Sequence, residues 1–125
     1  MTASKIESFR EVFVALSSHQ VEKQMAFYKA CFSVEPTVST SSYCEFRLAG
    51  LKLAIFEPSA THAEEFSQTS SGSMSLCVEV DDLDAMIAHL TNLGYPPPGD
   101  IIHASHGREL YAYDPDGNRL ILHQS

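Results

Sequence analysis

The stretch YDPDGNRLILH, residues 113–123, predicts a tight turn followed by a β-strand. Asp, Pro, Gly and Asn are the residues that β-turns favour, and Gly117 can supply the positive φ angle that many turns need. Because side chains alternate between the two faces of a strand, Leu120 and Leu122 share one face. That face is apolar, and we expect it to pack on helices.

A strand at residues 108–113 (RELYAY) precedes this turn and predicts an antiparallel hairpin. Pairing across the turn adds Leu110 and Ala112 to the apolar face. In this register Glu109 lies directly across from His123. The opposite face, which we call the front face, carries Glu109, Tyr111, Tyr113, Arg119, Ile121 and His123.

Residues 73–80 (SMSLCVEV) predict a strand that also has a core face and a front face. The core face carries Met74, Leu76, Val78 and Val80, and the front face carries Ser73, Ser75, Cys77 and Glu79. Asp81 or Asp82 then caps a helix whose apolar residues recur at steps of three and four, and Gly94 ends it. A short strand near residues 101–105 completes a β-α-β-β-β unit.

The first half of the chain repeats this order of elements. A strand at residues 12–17, an amphipathic helix at 20–32 and a short strand at 36–40 come first. A hairpin follows, with strands at 43–48 and 51–56 separated by two residues. Its front face carries Tyr43, Glu45, Arg47, Lys52, Ala54 and Phe56.

The length of 125 residues is that of one domain. We predict a single domain over residues 1–125, built from a module at 8–58 and a module at 73–124. The stretch 59–72 is rich in Ser and Thr, and we expect it to link the two modules.

Composition excludes several classes of partner. Sixteen acidic and eight basic residues give a net charge of −8, which opposes binding to nucleic acid or to an anionic membrane surface. No apolar run reaches the length of a membrane span, and the N-terminal residues lack the apolar stretch of a signal peptide. We therefore expect a cytoplasmic protein. Cys31, Cys44 and Cys77 form no CxxC pair and predict reduced thiols.

Three segments resemble the vicinal oxygen chelate superfamily, which includes glyoxalases, bleomycin-resistance proteins and extradiol dioxygenases. They are MAFYKACF (25–32), VEVDDLDAMIAHLTNLGY (78–95) and HGRELYAYDPDGNRLILHQ (106–124). The resemblance implies an α+β fold in which two βαβββ modules form a half-open, mostly antiparallel eight-stranded cup. It also implies that the site lies inside the cup and that the protein forms a homodimer.

The resemblance further implies where a metal ion would bind. In metal-dependent members, four inward-facing strand positions carry His, Gln or Glu. The matching positions in this chain are Phe13, Ala54, Ser75 and Ile121. Three of these side chains are hydrocarbon and offer no donor to a divalent ion, so we expect no metal cofactor there. His103 and His106 have HxxH spacing, but without a helix beneath it this spacing does not define a metal pair.

The front faces predict a surface for a small organic ligand, because they mix aromatic, small and charged side chains. Alternatively, the aromatic side chains fill the cup themselves. The residues expected to contact a ligand are Phe13, Tyr43, Glu45, Ala54, Phe56, Ser75, Cys77, Glu79, Tyr111 and Ile121.

His123 and Glu109 are the candidate catalytic residues, since a carboxylate across from an imidazole can orient it for proton transfer. The other open interpretation is that His123 lies at the frayed end of the last strand.

The sequence leaves two candidate functions open. The first is a member without the usual metal ligands that binds a small organic molecule in the sheet cavity. The alternative is a lyase or dioxygenase that uses non-standard residues around His123 and Glu109, with Glu45 and Glu79 nearby.

Overall fold

Two β-α-β-β-β units follow one another in the structure, a computed structural model that describes residues 8–67 and 72–125. A 3-10 helix at Ala63–Phe66 lies between them. The first unit consists of β1 (Val14–Ser17), α1 (Val21–Phe32), β2 (Val38–Ser39), β3 (Tyr43–Leu48) and β4 (Leu51–Phe56). The second consists of β5 (Leu76–Glu79), α2 (Leu83–Asn92), β6 (Ile102–Ala104), β7 (Gly107–Tyr113) and β8 (Arg119–Gln124).

Each unit forms its own four-stranded sheet, in the orders β1-β4-β3-β2 and β5-β8-β7-β6. β1 runs parallel to β4 and β5 runs parallel to β8, whereas the other neighbouring strands are antiparallel. The first strand of each unit therefore lies at a sheet edge, beside the last strand. These observations confirm the predicted α+β class and the two mostly antiparallel βαβββ modules.

The hairpin registers predicted from the alternation of side chains are confirmed. Phe46 pairs with Leu53 across the first hairpin, and Glu109 pairs with His123 across the second. Since a shift by one residue would move every side chain to the other face, the front faces also lie where the sequence places them.

The buried side chains of both units form one hydrophobic cluster. The sheets contribute Phe46 and Leu53 from the first unit, and α2 contributes Leu83 and Leu90. α1 buries a wider face than its predicted apolar stripe, because Gln24 is also fully buried. The core therefore spans the two units instead of being divided between them.

Four strands are shorter than predicted, since β2 and β6 cover only Val38–Ser39 and Ile102–Ala104 instead of 36–40 and 101–105. β1 begins at Val14 instead of residue 12, and β5 begins at Leu76 instead of residue 73. Met74, which the alternation assigns to the core, is 75% exposed. The core assignment of Met74 is therefore wrong, because alternation determines burial only within the paired part of a strand.

Asp114, in the turn between β7 and β8, is a buried carboxylate that accepts hydrogen bonds on both oxygens. Oδ1 accepts from the backbone N–H groups of Asp116 and Asn118, both at 2.9 Å. Oδ2 accepts from the side chains of Gln24, Tyr28 and Asn118 at 2.9, 2.7 and 2.8 Å. Burial and the charge of Asp114 raise the pKa of Tyr28 well above its ordinary value, so the phenol stays a donor. These bonds join α1 of the first unit to the last hairpin of the second.

Both helices are short, with 12 residues in α1 and 10 in α2. α2 has the predicted cap, since Asp82 Oδ1 accepts a hydrogen bond from Ala85 N at 3.0 Å. Gly94 follows the helix with a φ of 93°, a conformation that glycine adopts readily. In the described part of the chain, neither helix has the length and apolar character that crossing a membrane requires.

Candidate functional site

A cleft lies between the tip of the β3–β4 hairpin, the end of α1 and strand β5; we call it the hairpin cleft. Its volume is about 570 Å³, within the range of small-molecule sites. Its polar or reactive residues are Arg47, Cys77 and Glu79. Its apolar wall consists of Phe32, Val34, Leu48, Ala49, Leu51, Leu76 and Val78.

Arg47 is held in position at this cleft by an ion-pair network. Arg47 Nη1 donates to Glu11 Oε2 at 2.8 Å, and Lys52 Nζ lies 3.1 Å from Glu11 Oε1. Hydrogen bonds from Lys52 and Arg47 lower the pKa of Glu11, so its carboxylate remains charged. Lys52 also lies 3.5 Å from Glu45, which connects the cleft to the front face of the first unit.

Cys77 is the accessible thiol among the three cysteines. Cys31 and Cys44 are buried, and burial raises the pKa of Cys31 to about 12 and that of Cys44 to about 11. Because the thiolate is the reactive form, we expect one thiol per native chain to react quickly with 5,5′-dithiobis(2-nitrobenzoic acid), and three after unfolding. A Cys77→Ser variant should lose the fast reaction. Fast reaction of two or more thiols in the native protein would contradict this assignment.

Two imidazoles and two carboxylates lie together at the end of β8. His123 Nδ1 lies 2.6 Å from Glu79 Oε1, and His123 Nε2 lies 2.9 Å from His106 Nδ1. Both ring nitrogens of His123 therefore have partners other than Glu109, the carboxylate that lies across from it. Glu109 has the predicted register, but its Oε1 lies 3.9 Å from His106 Nε2. His123 bonds to Glu79 because β5 is the other neighbour of β8 and its register places Glu79 beside His123.

Glu79 determines which nitrogen of His123 carries the proton. Its second oxygen, Oε2, accepts hydrogen bonds from the backbone N–H and the hydroxyl of Ser125, both at 2.8 Å. The hydrogen bonds from His123 and Ser125 lower the pKa of Glu79 to about 2. An ionised carboxylate only accepts hydrogen bonds, so Nδ1 of His123 is the protonated nitrogen. In the neutral ring, Nε2 therefore has the lone pair, which accepts the hydrogen bond from Nδ1–H of His106.

Cations lie beside two of the four positions where the family resemblance places metal ligands. Lys52 Nζ lies 4.0 Å from the centre of the Phe13 ring, and Arg119 Nη1 donates to Ser75 Oγ at 3.0 Å. The other two positions carry hydrocarbon side chains. These residues do not fit a divalent metal ion, which needs several nitrogen, sulfur or oxygen donors. Within residues 8–67 and 72–125, no three His, Cys, Asp or Glu side chains are already arranged as a metal site.

Three predicted ligand contacts on the first front face have partners within the protein. Tyr43 donates its hydroxyl to Glu45 Oε1 at 2.7 Å, and this bond raises the pKa of Tyr43. Phe56 makes an edge-to-face contact with Phe66, with ring centres 5.3 Å apart. Phe66 comes from the 3-10 helix and was not predicted at the site. Its ring covers part of the aromatic surface that the sequence assigns to a ligand.

The remaining predicted ligand contacts lie in different surroundings. Ala54 is buried. Ser75 lines a smaller cavity of about 220 Å³ between β1 and β5. Ile121 pairs with Cys77 in the β5–β8 register, and Tyr111 pairs with Ile121 from the other side. Of the ten predicted ligand contacts, Cys77 and Glu79 line the hairpin cleft and the other eight do not.

A model of the Glyoxalase/Bleomycin resistance protein/Dioxygenase superfamily matches residues 12–122. The chain belongs to this superfamily. The match covers both β-α-β-β-β units, in agreement with the resemblance seen in the three sequence segments. No curated protein sequence is significantly similar to the chain.

Solved structures show the same superfamily fold. FosX, a fosfomycin resistance protein from Listeria monocytogenes, is 21% identical with a TM-score of 0.75, covering 94% of this chain and 93% of its own. A glyoxalase-related enzyme from Fulvimarina pelagi is 20% identical with a TM-score of 0.70, covering 94% and 89%. Protein ATC0852 from Agrobacterium tumefaciens is 26% identical with a TM-score of 0.74, covering 90% and 93%. A variant of FosX has been solved with Mn(II) and 1S,2S-dihydroxypropylphosphonic acid.

Sequence reasoning missed most of the hairpin cleft and the role of His106. The cleft is formed by parts of two sheets, and no local sequence pattern specifies how two sheets are placed relative to each other. His106 did carry a signal, since it occupies the short turn between β6 and β7 and therefore lies near the end of β8. The register of both hairpins was needed to bring it to His123.

Proposed function

We propose that this superfamily member binds a small organic molecule in the hairpin cleft and does so without a metal ion at the position implied by the family resemblance. The observation that carries the proposal is the cleft itself. Its volume of about 570 Å³ and its largely apolar wall suit a ligand of a few tens of atoms or fewer.

The polar groups of the cleft support a specific ligand orientation. Arg47 is fixed by Glu11 at 2.8 Å, and Glu79 is fixed by His123 and Ser125. Groups that are already ordered lose little conformational entropy when a ligand binds. One cation and one carboxylate on opposite walls can therefore orient a polar ligand between apolar surfaces.

The residues at the family's metal positions support binding that needs no metal there. Phe13 carries a lysine ammonium above its ring, and Ser75 accepts a hydrogen bond from an arginine. A positive charge at each of these places repels a divalent cation. The remaining two positions contribute only hydrocarbon.

A screen of small planar organic molecules by ligand-observed NMR tests the proposal. A true ligand should slow the reaction of Cys77 with 5,5′-dithiobis(2-nitrobenzoic acid), because Cys77 lines the cleft. The affinity of the protein for this ligand should be unchanged in excess EDTA. An Ala49→Trp variant, which places an indole at the mouth of the cleft, should weaken binding by about 100-fold, or roughly 2.7 kcal/mol.

The matched control is Ala60→Trp, which adds the same ring at an exposed position that does not line the cleft. It should leave ligand affinity unchanged. The proposal would be overturned if the Ala49→Trp variant bound the ligand as tightly as the unmodified protein, or if the unmodified protein lost the ligand in EDTA.

A lyase or dioxygenase activity is the second candidate function, and the hydrogen-bonded chain of Glu79, His123 and His106 favours it. A carboxylate that fixes the protonated nitrogen of an imidazole leaves the other nitrogen as a base. Incubating the protein with the compounds of the ligand screen distinguishes this candidate from simple ligand binding. Conversion of a bound compound that disappears in the His123→Ala and Glu109→Gln variants would support it, and unchanged conversion in both would exclude these residues as catalytic.

The proposal also includes a homodimer that works in the cytoplasm and has neither nucleic acid nor a membrane as partner. The homodimer is proposed from the family resemblance. The net charge of −8 argues against nucleic acid and an anionic membrane as partners. The cytoplasmic location is proposed because no apolar run of the sequence reaches the length of a membrane span.

A further inference from the structure

Two imidazole nitrogens face each other beside the hairpin cleft, in an arrangement that the proposed ligand binding does not use. His106 Nδ1 and His123 Nε2 lie 2.9 Å apart, and their rings are tilted by 31° with centres 5.0 Å apart. Imidazole nitrogen is the preferred protein donor for Ni²⁺, Cu²⁺ and Zn²⁺. We propose that these two nitrogens together bind one divalent transition-metal ion.

The surroundings of His123 are those of a metal-binding histidine. Metal-bound histidines almost always donate their second ring N–H to a carboxylate or carbonyl, which fixes the ring and makes it a better donor. Glu79 provides this contact at 2.6 Å on Nδ1. Ser125 in turn holds the other carboxylate oxygen with two hydrogen bonds of 2.8 Å. The lone pair of His123 Nε2 is therefore presented in one fixed direction.

The separation of the two nitrogens allows one ion to contact both. Two nitrogens about 2.0–2.1 Å from a metal lie about 2.9 Å apart at a right angle and about 3.4 Å apart at the tetrahedral angle. The hydrogen-bonded nitrogens are 2.9 Å apart, so the His106 ring has to rotate but does not have to travel far. Among divalent ions that imidazole suits, Ni²⁺ and Cu²⁺ have high affinity for nitrogen ligands.

The flexibility of His106 allows the hydrogen-bonded pair to become a ligand pair. Its side chain is 61% exposed, so the ring can rotate until both lone pairs point at one ion, while its proton moves to Nε2. Glu109 lies on the same face of the sheet, with its carboxylate 3.9 Å from the His106 ring, and can supply a third donor after a change of rotamer. Water completes the coordination. The two carboxylates nearby compensate the charge of the ion.

This site differs from the one implied by the family resemblance. His123 lies two residues beyond Ile121 along β8, which corresponds to about 7 Å at the rise of a strand. The partner histidine comes from the β6–β7 turn, a part of the fold that contributes none of the four family positions. His103 belongs to the same HxxH segment, but in β6 it pairs with Arg108, whereas Ile102 pairs with Glu109. His103 therefore points to the other face and serves as the control.

Calorimetric titration of the full chain with NiCl₂ tests the proposal, using protein made without a histidine tag and stripped with chelator. We expect one Ni²⁺ per chain with a dissociation constant in the micromolar range, and no binding of Mg²⁺. His106→Ala and His123→Ala should each weaken binding by about 100-fold. Glu79→Gln should weaken it by about 10- to 100-fold, as is usual for residues that support a metal ligand. His103→Ala should bind like the unmodified protein.

The ring nitrogen signals of the histidines identify the ligands directly. On addition of Ni²⁺, the ¹⁵N signals of His106 and His123 should broaden first, before those of the other four histidines. Because His106 is an exposed turn residue, the His106→Ala variant should fold normally. We expect its thermal unfolding midpoint to equal that of the unmodified protein. The proposal is overturned if Ni²⁺ binds only in the millimolar range, or if His106→Ala and His103→Ala have the same affinity. Neither result bears on ligand binding in the hairpin cleft, which is measured without added metal.

Discussion

Replacing Asp114 by alanine should lower the free energy of unfolding by about 3–5 kcal/mol, because it removes the acceptor of several buried hydrogen bonds at once. Gln24 and Tyr28 would keep their donors in the core without a partner, since both are fully buried. The turn would also lose the two backbone bonds to Oδ1 that define its shape. Urea unfolding followed by circular dichroism measures the change.

Two further variants separate this effect from a general loss of charge. Asp100→Ala removes an exposed aspartate and should change the free energy of unfolding by less than about 0.5 kcal/mol. Tyr28→Phe removes one of the donors and should cost about 1–2 kcal/mol, less than the loss of the shared acceptor. An Asp114→Ala variant as stable as Asp100→Ala would contradict the role assigned to the carboxylate.

Replacing Gly107 by alanine should destabilise the protein by about 2–3 kcal/mol. Gly107 has a φ of 135°, which residues with a side chain rarely adopt. An added Cβ would also overlap the backbone carbonyl oxygen of Gln124, so the β7–β8 pair would have to open. His106 directly precedes this glycine, and we expect its contact with His123 to be lost as well.

Gly99→Ala is the matched control for this substitution. Gly99 lies outside the positive φ region, and a Cβ added there meets no atom within 4 Å. Its effect should stay within about 0.5 kcal/mol. Chemical-shift changes confined to the β6–β7 turn and the end of β8 in Gly107→Ala would show that the strain is local. A Gly107→Ala variant as stable as Gly99→Ala would contradict the close contact.

The order of elements and both hairpin registers could be predicted from the sequence because they depend on local patterns. The alternation of Leu120, Ile121 and Leu122 specifies which side chains face the helices, and a two-residue turn leaves a single register for β3 and β4. Strand ends could not be predicted in this way. Met74 is apolar and in phase with Leu76, but it precedes the paired residues and is exposed.

The candidate site could be predicted only in part, for a related reason. The alternation of side chains assigned Glu79, Glu109 and His123 to one face correctly. Three neighbouring side chains on one face can, however, pair in more than one way. The partners of His123 depend on which side chains are long enough to contact its ring. Glu79 contacts it from the parallel strand, and His106 contacts it from a turn. The hairpin cleft depends on how the first hairpin approaches β5, which the sequence pattern of neither element contains.

The buried carboxylate of Asp114 also restricts how the two halves of the chain can change over time. Its partners Gln24 and Tyr28 lie 90 and 86 positions away, in the other repeat. Replacing Asp114 leaves the buried donors of Gln24 and Tyr28 without an acceptor, and replacing either partner removes a donor from the buried carboxylate. Although the repeats share one plan, their histories are therefore linked, and homologues should vary at positions 24, 28 and 114 together.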